Sequence, residues 1–289
     1  MPFDRDDIKR IVKQFMNSTG RPSPFKENTP GIDWLQAFEK RHPSLSKQSP
    51  ERLAQARAKN TTPEIVNAFF EIYEGAVSDH DMTEDQIWNC DETGLNKVFV
   101  SKGKKDVYLK SPTAGKTSYS VLVCGSASGK IMPPFPVFKG KNLYAQWTRN
   151  GPPNAGYSCS PSGWMHDSNF ESWFVSVFVP SVKDIARPVV LLFDGHNSHL
   201  TYKTVKLAQE NGILLICIPP HTSHRLQPLD VAFFRPFKMI WEDELKNWAR
   251  TSKYRPVTKA VFLTLLKAAW SRITQKSVTG GFQGMLVYF

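Results

Sequence analysis

The sequence predicts an α/β domain preceded by a small all-α module, and three observations carry that prediction. From Ile87 onward, short apolar runs alternate with turn residues. Between Pro188 and Lys238 an apolar run, a polar helical segment and a second apolar run follow one another, the pattern of a strand–helix–strand unit. Before Ile87, apolar residues recur only at helical spacing.

In the N-terminal part, Ile8, Ile11, Val12 and Phe15 form one stripe of a helix over residues 4 to 16. Residues 20 to 30 are rich in Pro and Ser and read as a loop, and Trp34, Leu35 and Phe38 give a second short helix stopped by His42-Pro43. Ser49-Pro50 opens a third, with Ser as N-cap and Pro at the first helical position. That helix carries Arg52, Gln55 and Arg57 on its polar side, with Lys59 just beyond. Three short helices ending in a basic one suit a helix-turn-helix unit whose last helix enters the major groove; a small bundle with a solvated basic face is the plainer alternative. Thr62-Pro63 starts a further helix bearing Val66, Phe69, Phe70 and Tyr73, expected to end near Gly75. The acidic SDHDMTEDQ after it reads as a linker.

The sheet domain follows. Residues 120 to 125 and 131 to 138 are expected to pair as a hairpin across SASGK, and 139 to 157, rich in Gly, Pro and Asn, to form a long loop. Ser168 and Glu171 have capping-box spacing, and the helix behind them puts Phe170, Trp173, Phe174, Val177 and Phe178 on a stripe that packs on a sheet. Strands are expected at 189–194 and 213–218 with a helix at about 201–210 between them, ending at Gly212. Phe234, Phe237, Trp241, Leu245 and Trp248 mark a long amphipathic helix, and residues 262 to 273 repeat its periodicity.

Composition narrows the functional classes. A formal charge of +11 and a pI near 9.4 favour a polyanionic partner. No apolar run approaches the roughly 18 residues of a membrane span, and the charged start MPFDRDDIKR lacks the apolar core of a signal peptide. Cys90, Cys124, Cys159 and Cys217 fall singly, as reduced thiols rather than a zinc or disulfide frame.

Three carboxylates stand at the ends or beginnings of regular elements: Asp91 after IWNC, Asp194 closing LLFD, and Asp230 just inside a helix. Each has an ordinary explanation. Asp-Gly is turn chemistry, an acid in a first helical turn meets the macrodipole, and Asp91 with Glu92 suits a solvated strand end. Together they occupy the positions where an α/β sheet gathers ligands, at strand carboxyl ends and the helix after them. Carboxylates converging from separate elements are what a pair of divalent ions about 3.5–4 Å apart requires, and hard oxygen donors suit Mg2+ or Mn2+. His196, His199, His221 and His224 crowd the same region. HNSH and HTSH lack the helical HExxH pattern of a zinc site, so His199, His221 and His224 are expected to contact phosphate or shape the loop. Ser198 has no nucleophile elbow around it.

The motifs IWNCDETG, YSVLVCGSASGKIMPPFPVFKGK, SGWM, LLFDGHNSH and PPHTSHRLQPLDVAFFRPFK together resemble the DDE superfamily endonuclease domain of pogo-type transposases, the group of the Tigger, Jerky and centromere protein B relatives. The resemblance covers roughly residues 85 to 275, with 35 residues between Asp194 and Asp230. PGIDWLQAFEKRHPSLSKQSPERLAQARA resembles the second helix-turn-helix of centromere protein B-type DNA-binding regions. The resemblance implies an RNase H-like mixed sheet with helices on both sides. It also implies three segments: a DNA-binding module over 1–60, a helical linker over 61–84 and the endonuclease domain over 85–289. Asp91, Asp194 and Asp230 would hold two Mg2+ or Mn2+ ions as the catalytic acids; Arg52, Gln55, Arg57 and Lys59 would face double-stranded DNA. A nuclear location follows from that partner, and a homodimer on DNA is compatible with it. Only the second helix-turn-helix unit is recognisable, and GGFQGMLVYF stops where relatives continue, so the chain is expected to be truncated at both ends. A domesticated DNA-binding protein that no longer cuts is the alternative, and an RNase H-like nuclease acting on RNA-containing duplexes is a more distant one.

Overall fold

A computed structural model describes residues 5–42, 62–95, 119–195, 201–253 and 255–286 of the 289. Arg52, Gln55, Arg57, Lys59 and His199 lie outside the described residues, as do His196 and Ser198. The centre is a six-stranded mixed sheet built from β1 (Ile87–Leu95), β2 (Tyr119–Ser126), β3 (Phe135–Lys139), β4 (Ser158–Ser160), β5 (Val189–Asp194) and β6 (Ile213–Ile218). Its order is β4-β3-β2-β1-β5-β6. β1, β2 and β3 pair antiparallel in sequence, whereas β5 is parallel to β1, β6 to β5 and β4 to β3. The C-terminal ends of β1, β3, β4, β5 and β6 therefore share one edge.

Residue parity sorts the side chains, because successive residues of a strand face opposite sides. Ile87, Leu95, Val121, Val123, Val190, Leu192, Ile216 and Ile218 belong to one buried cluster. Packed on that face are α3 (Pro63–Ser78), α6 (Phe234–Thr251), α7 (Lys259–Trp270) and α8 (Gln275–Leu286). Trp88, Cys90, Leu122, Cys124, Val189, Leu191 and Phe193 belong to the second cluster. It packs against α4 (Asp167–Trp173, continued through a π turn at Phe174–Phe178 and a last turn at Val179–Ser181) and α5 (Tyr202–Glu210). Each large side chain buried in these clusters stabilises the fold by about 1.5–3 kcal/mol relative to exposure.

At the N-terminus, α1 (Arg5–Thr19) and α2 (Ile32–Arg41) match the two expected helices. α1 docks on the sheet domain. Phe15 meets the Tyr202 ring edge-on at 5.3 Å, the Tyr202 amide donates to Gln14 Oε1 at 3.2 Å, and Arg10 pairs with Asp167. The first turns of both α4 and α5 are thus tied to this helix. α3, within the expected linker, buries Val66, Phe69, Phe70 and Tyr73 in the same cluster as the sheet.

Several boundaries differ from expectation for identifiable reasons. α3 continues to Ser78, with Gly75 inside it, because the next apolar residues Ala76 and Val77 still pack on the core. The hairpin regains regular pairing only at Phe135, because Pro133 and Pro134 have no N–H for a ladder; Ile131 makes one isolated bridge to Gly125. α4 is capped by His166, whose amide donates to Asn169 Oδ1 at 3.0 Å, and not by Ser168. Glu171, the expected partner of that cap, accepts the Thr201 hydroxyl at 2.6 Å instead. The loop after β3 contains a helical turn at Ala145–Thr148 and leads into β4. All four cysteines are free, as the single spacings predict.

Candidate active site

Asp91 lies in the middle of β1, not at its end, because Thr93 and Leu95 continue to pair with β2 beyond the end of β5. The parallel ladder between β1 and β5 aligns Ile87 with Val190 and Asn89 with Leu192. Carried two residues further, that register sets Asp91 beside Asp194. In-register neighbours on parallel strands share a face and lie about 4.8 Å apart in the pairing direction. Asp194 closes β5 at the point where the chain leaves the sheet. Asp230 comes from elsewhere, in a π-helical turn at Leu229–Phe233 that packs on the same sheet face and leads into α6. Such π turns inside helices occur frequently at functional sites.

The charges of the three groups reach one another. Burial, then the charges of Asp230 and Asp194, push the Asp91 carboxyl well above the usual carboxylate range; hydrogen bonds from the Glu92 amide and Gln227 oppose the rise. Asp230 is raised first by burial and then by Asp194, while Lys238 and His224 pull it down. Three acids that disfavour one another's ionisation make an edge that favours binding positive charge.

Asp194, Gly195, Pro219, Pro220, His221, Ser223, His224 and Asp230 line an open cleft of 380 Å3. His221 and His224 thus stand beside two of the acids. His221 holds a left-handed backbone at φ 66°, a strained conformation of the kind that clusters at functional sites.

The residues fit a divalent metal in chemistry, since carboxylate oxygens are the donors that Mg2+ and Mn2+ prefer. They are not gathered into a finished cage. Among the described residues, no group of three or more His, Cys, Asp or Glu side chains stands close enough to hold an ion. Asp91 Oδ1 accepts its neighbour's Glu92 amide at 2.7 Å.

Two residues that the sequence reading passed over hold the site together. Asn89 and Gln227 are both 0% exposed. Asn89 donates to Leu192 O and to Gln227 Oε1, each at 3.0 Å, and accepts the Leu229 amide at 3.1 Å. Gln227 donates to Cys90 O at 3.1 Å and hydrogen-bonds Asp91. The pair links β1 and β5 to the turn carrying Asp230. Polar amides set in apolar runs (IWNC and RLQPL) were the available signal, since a fully buried amide must find partners.

α8 supports the same turn from outside. A methyl group added at Gly281 would sit 2.2 Å from the Pro228 carbonyl oxygen. That is too close for any side chain, and the atom in the way is backbone, so the helix or the turn would have to shift. Gly281→Ala is expected to destabilise the protein by about 1–3 kcal/mol, measured by urea denaturation. A midpoint equal to that of the parent protein would mean that α8 does not press on the Asp230 turn.

This sheet order, with three antiparallel strands followed by two parallel ones, helices on both faces and acids on one face near the carboxyl edge, defines an RNase H-like domain. The model of the DDE superfamily endonuclease family matches residues 116–282, and the chain belongs to that family. Asp194 and Asp230 lie inside the matched span and Asp91 lies before it. Among similar proteins is the mouse (Mus musculus) pogo transposable element with KRAB domain, 24% identical over 280 residues covering 90% of this chain and 44% of that protein. The human Jerky protein homolog is 25% identical over 214 residues, covering 71% of this chain and 37% of its own. A Cochliobolus lunatus protein named MFS-type transporter clz9 is 27% identical over 217 residues, which cover 71% of this chain and 23% of that one. The chain thus spans less than half the length of each of these relatives. Among the described residues no helix is long and apolar enough to cross a membrane. Of solved structures, the Mos1 Strand Transfer Complex aligns with a TM-score of 0.47 at 12% identity, over 99% of this chain and 76% of that one.

Proposed function

We propose that the chain carries a transposase-type, metal-dependent DNA endonuclease and strand-transfer activity, with Asp91, Asp194 and Asp230 as the metal-holding catalytic acids. The observation that carries this reading is that Asp91 and Asp194, on neighbouring parallel strands, and Asp230, on the turn packed over the same face, are near enough for their charges to act on one another, with Asp194 and Asp230 lining one open cleft. Two Mg2+ or Mn2+ ions bound there would activate water or a DNA 3′-hydroxyl for in-line attack on a phosphodiester and stabilise the leaving oxygen. The chain's own contributions are distinct. Asn89 and Gln227 fix the relative positions of the acids, and His221 and His224 face the phosphate or shape the cleft wall; a phosphate-contacting role is proposed for His199 as well. Double-stranded DNA is the substrate in this reading, which the charge of +11 supports; the nucleus is the corresponding location, and a homodimer on DNA is compatible with it.

The test is direct. Supercoiled plasmid incubated with the chain should be nicked in Mn2+ and left intact in chelator. A second reading, a DNA-binding protein that no longer cuts, has one observation on its side: one Asp91 oxygen is already engaged by the Glu92 amide. Plasmid that is retarded on a gel yet never nicked would select that reading.

Metal binding can also be read without chemistry. Asp91→Asn removes one of the mutually repelling charges, so the metal-free protein should melt at least as high as the parent. Ligand binding to the folded state alone stabilises it in proportion to RT ln(1 + [L]/Kd). Saturating Mn2+ should therefore raise the melting temperature of the parent and do so much less in the variant; equal shifts would remove Asp91 from the metal site.

Arg52, Gln55, Arg57 and Lys59 are proposed to contact DNA. Phosphate contacts release counterions, and each one lost lowers the slope of log affinity against log salt by about 0.9. Arg52→Ala combined with Arg57→Ala should flatten the slope by close to two such steps. An unchanged slope would take this segment out of the interface.

A further inference from the structure

A second polyanion-directed surface lies at the same sheet edge, away from the acids. β3 and β4 both run toward that edge, so the loops that follow them emerge at the same edge as the candidate active site, two and three strands from β1. Residues 139 to 166, which span both loops, contain Lys139, Lys141, Arg149 and His166 and no acidic residue. Two aromatic rings on these loops are left facing solvent: Tyr144 is 51% exposed and Trp164 is 53% exposed.

The turn bearing Trp164 is built. Ser160 Oγ donates to Trp164 O at 2.7 Å and accepts the Gly163 amide at 2.9 Å, and the Trp164 amide donates to Ser162 Oγ at 3.2 Å. Gly163 takes φ +83°, and a side chain added there would press on Lys139 at 3.0 Å. A large apolar ring held in water by a turn this tightly bonded is pre-organised for a flat partner. The neighbouring loop is anchored as well, because Lys259 lies 3.4 Å above the Trp147 ring and donates to Lys139 O at 2.6 Å. The two loops meet where the Gly140 amide donates to Ser160 O at 2.9 Å, and Lys141 and Tyr144, both exposed, follow Gly140 in the chain.

We propose that Trp164, with Tyr144 and Lys141, binds unpaired nucleotides of the DNA strand beside the site of cutting, the ring stacking on a base and the lysine meeting the backbone. This rests on the reading of the neighbouring acids as a DNA-cutting centre. Lysines alone attract any polyanion, but an aromatic face selects an unstacked base, because duplex bases keep their faces covered. β4 is three strands from β1, a lateral separation of about 14 Å. Roughly four stacked nucleotides at 3.4 Å each along one strand span it.

The test measures binding by the full chain in chelator, so that no cutting contributes, using anisotropy of a dye-labelled oligonucleotide. Three ligands serve: a single strand, the matching blunt duplex, and that duplex with a single-stranded overhang. Trp164→Ala should weaken binding of the single strand and the overhang by about tenfold or more, leave the blunt duplex within twofold, and keep the salt dependence. Trp164→Phe should restore most of the loss, and Lys141→Gln should instead lower the salt slope. Equal loss on all three ligands, no loss on any, or a change in oligomeric state on size exclusion for Trp164→Ala would overturn the proposal, the last by making the ring a contact between copies. Binding is read in chelator and nicking in Mn2+, so failure of the cutting site and failure of this surface are told apart.

Discussion

Asp194→Asn is expected to lower Mn2+-dependent nicking of supercoiled plasmid by about 10^3-fold or more. The substitution keeps the size of the side chain and removes its charge. Its charge acts on both of the other acids, helping to hold the carboxyls of Asp91 and Asp230 above the usual range. Metal ions at such a centre supply several kcal/mol of transition-state charge stabilisation, and each 1.4 kcal/mol is a factor of ten in rate. Gel quantitation of open-circular product against time gives the rate, and a thermal melt of the same preparation shows that the variant is folded. Nicking that persists at the parent rate would place the activity elsewhere in the sample.

The second large effect concerns stability. Gln227→Leu should destabilise the protein by about 3 kcal/mol, because it strips partners from three buried groups at once. The Cys90 carbonyl loses its donor, one Asn89 N–H loses its acceptor, and Asp91 loses a hydrogen bond. Each buried group left unsatisfied costs about 1–3 kcal/mol. For a chain of this size a loss of that order lowers the melting temperature by roughly 10 °C. The conservative Gln227→Glu keeps the acceptor for Asn89 but adds a fourth carboxylate near the acids, so it should be no better tolerated. A melting temperature within 1–2 °C of the parent for Gln227→Leu would show that these bonds are exchanged for others.

What could be read in advance follows from how each element meets its surroundings. Strands 189–194 and 213–218 were legible to the residue because a parallel strand covered on both faces must be apolar throughout. Asp194 and Asp230 were legible as end positions for the same reason: polarity returns where the cover stops. Asp91 was harder, since β1 runs on past its neighbour and its apolar run says nothing of where β5 ends. α8 was not foreseen. Gly281 and Gly284 are the positions at which the helix approaches Pro228 and Val231 most closely. Asn89 and Gln227 stand out only as polar amides in apolar runs, and the sequence does not name their partners, which come from more than 100 residues away. The docking of α1 rests on Arg10, Gln14 and Phe15, and only Phe15 belonged to the apolar stripe from which the helix was inferred.

The pairing of the three aspartates around shared cations is tested most directly by counting ions. Calorimetric titration of the metal-free chain with Mn2+ should yield two ions bound per chain in the presence of a non-cleavable DNA phosphate analogue. Asp91→Asn, Asp194→Asn and Asp230→Asn should each lose at least one of the two. A parent chain that binds no Mn2+, or three variants that all keep the full count, would contradict the site.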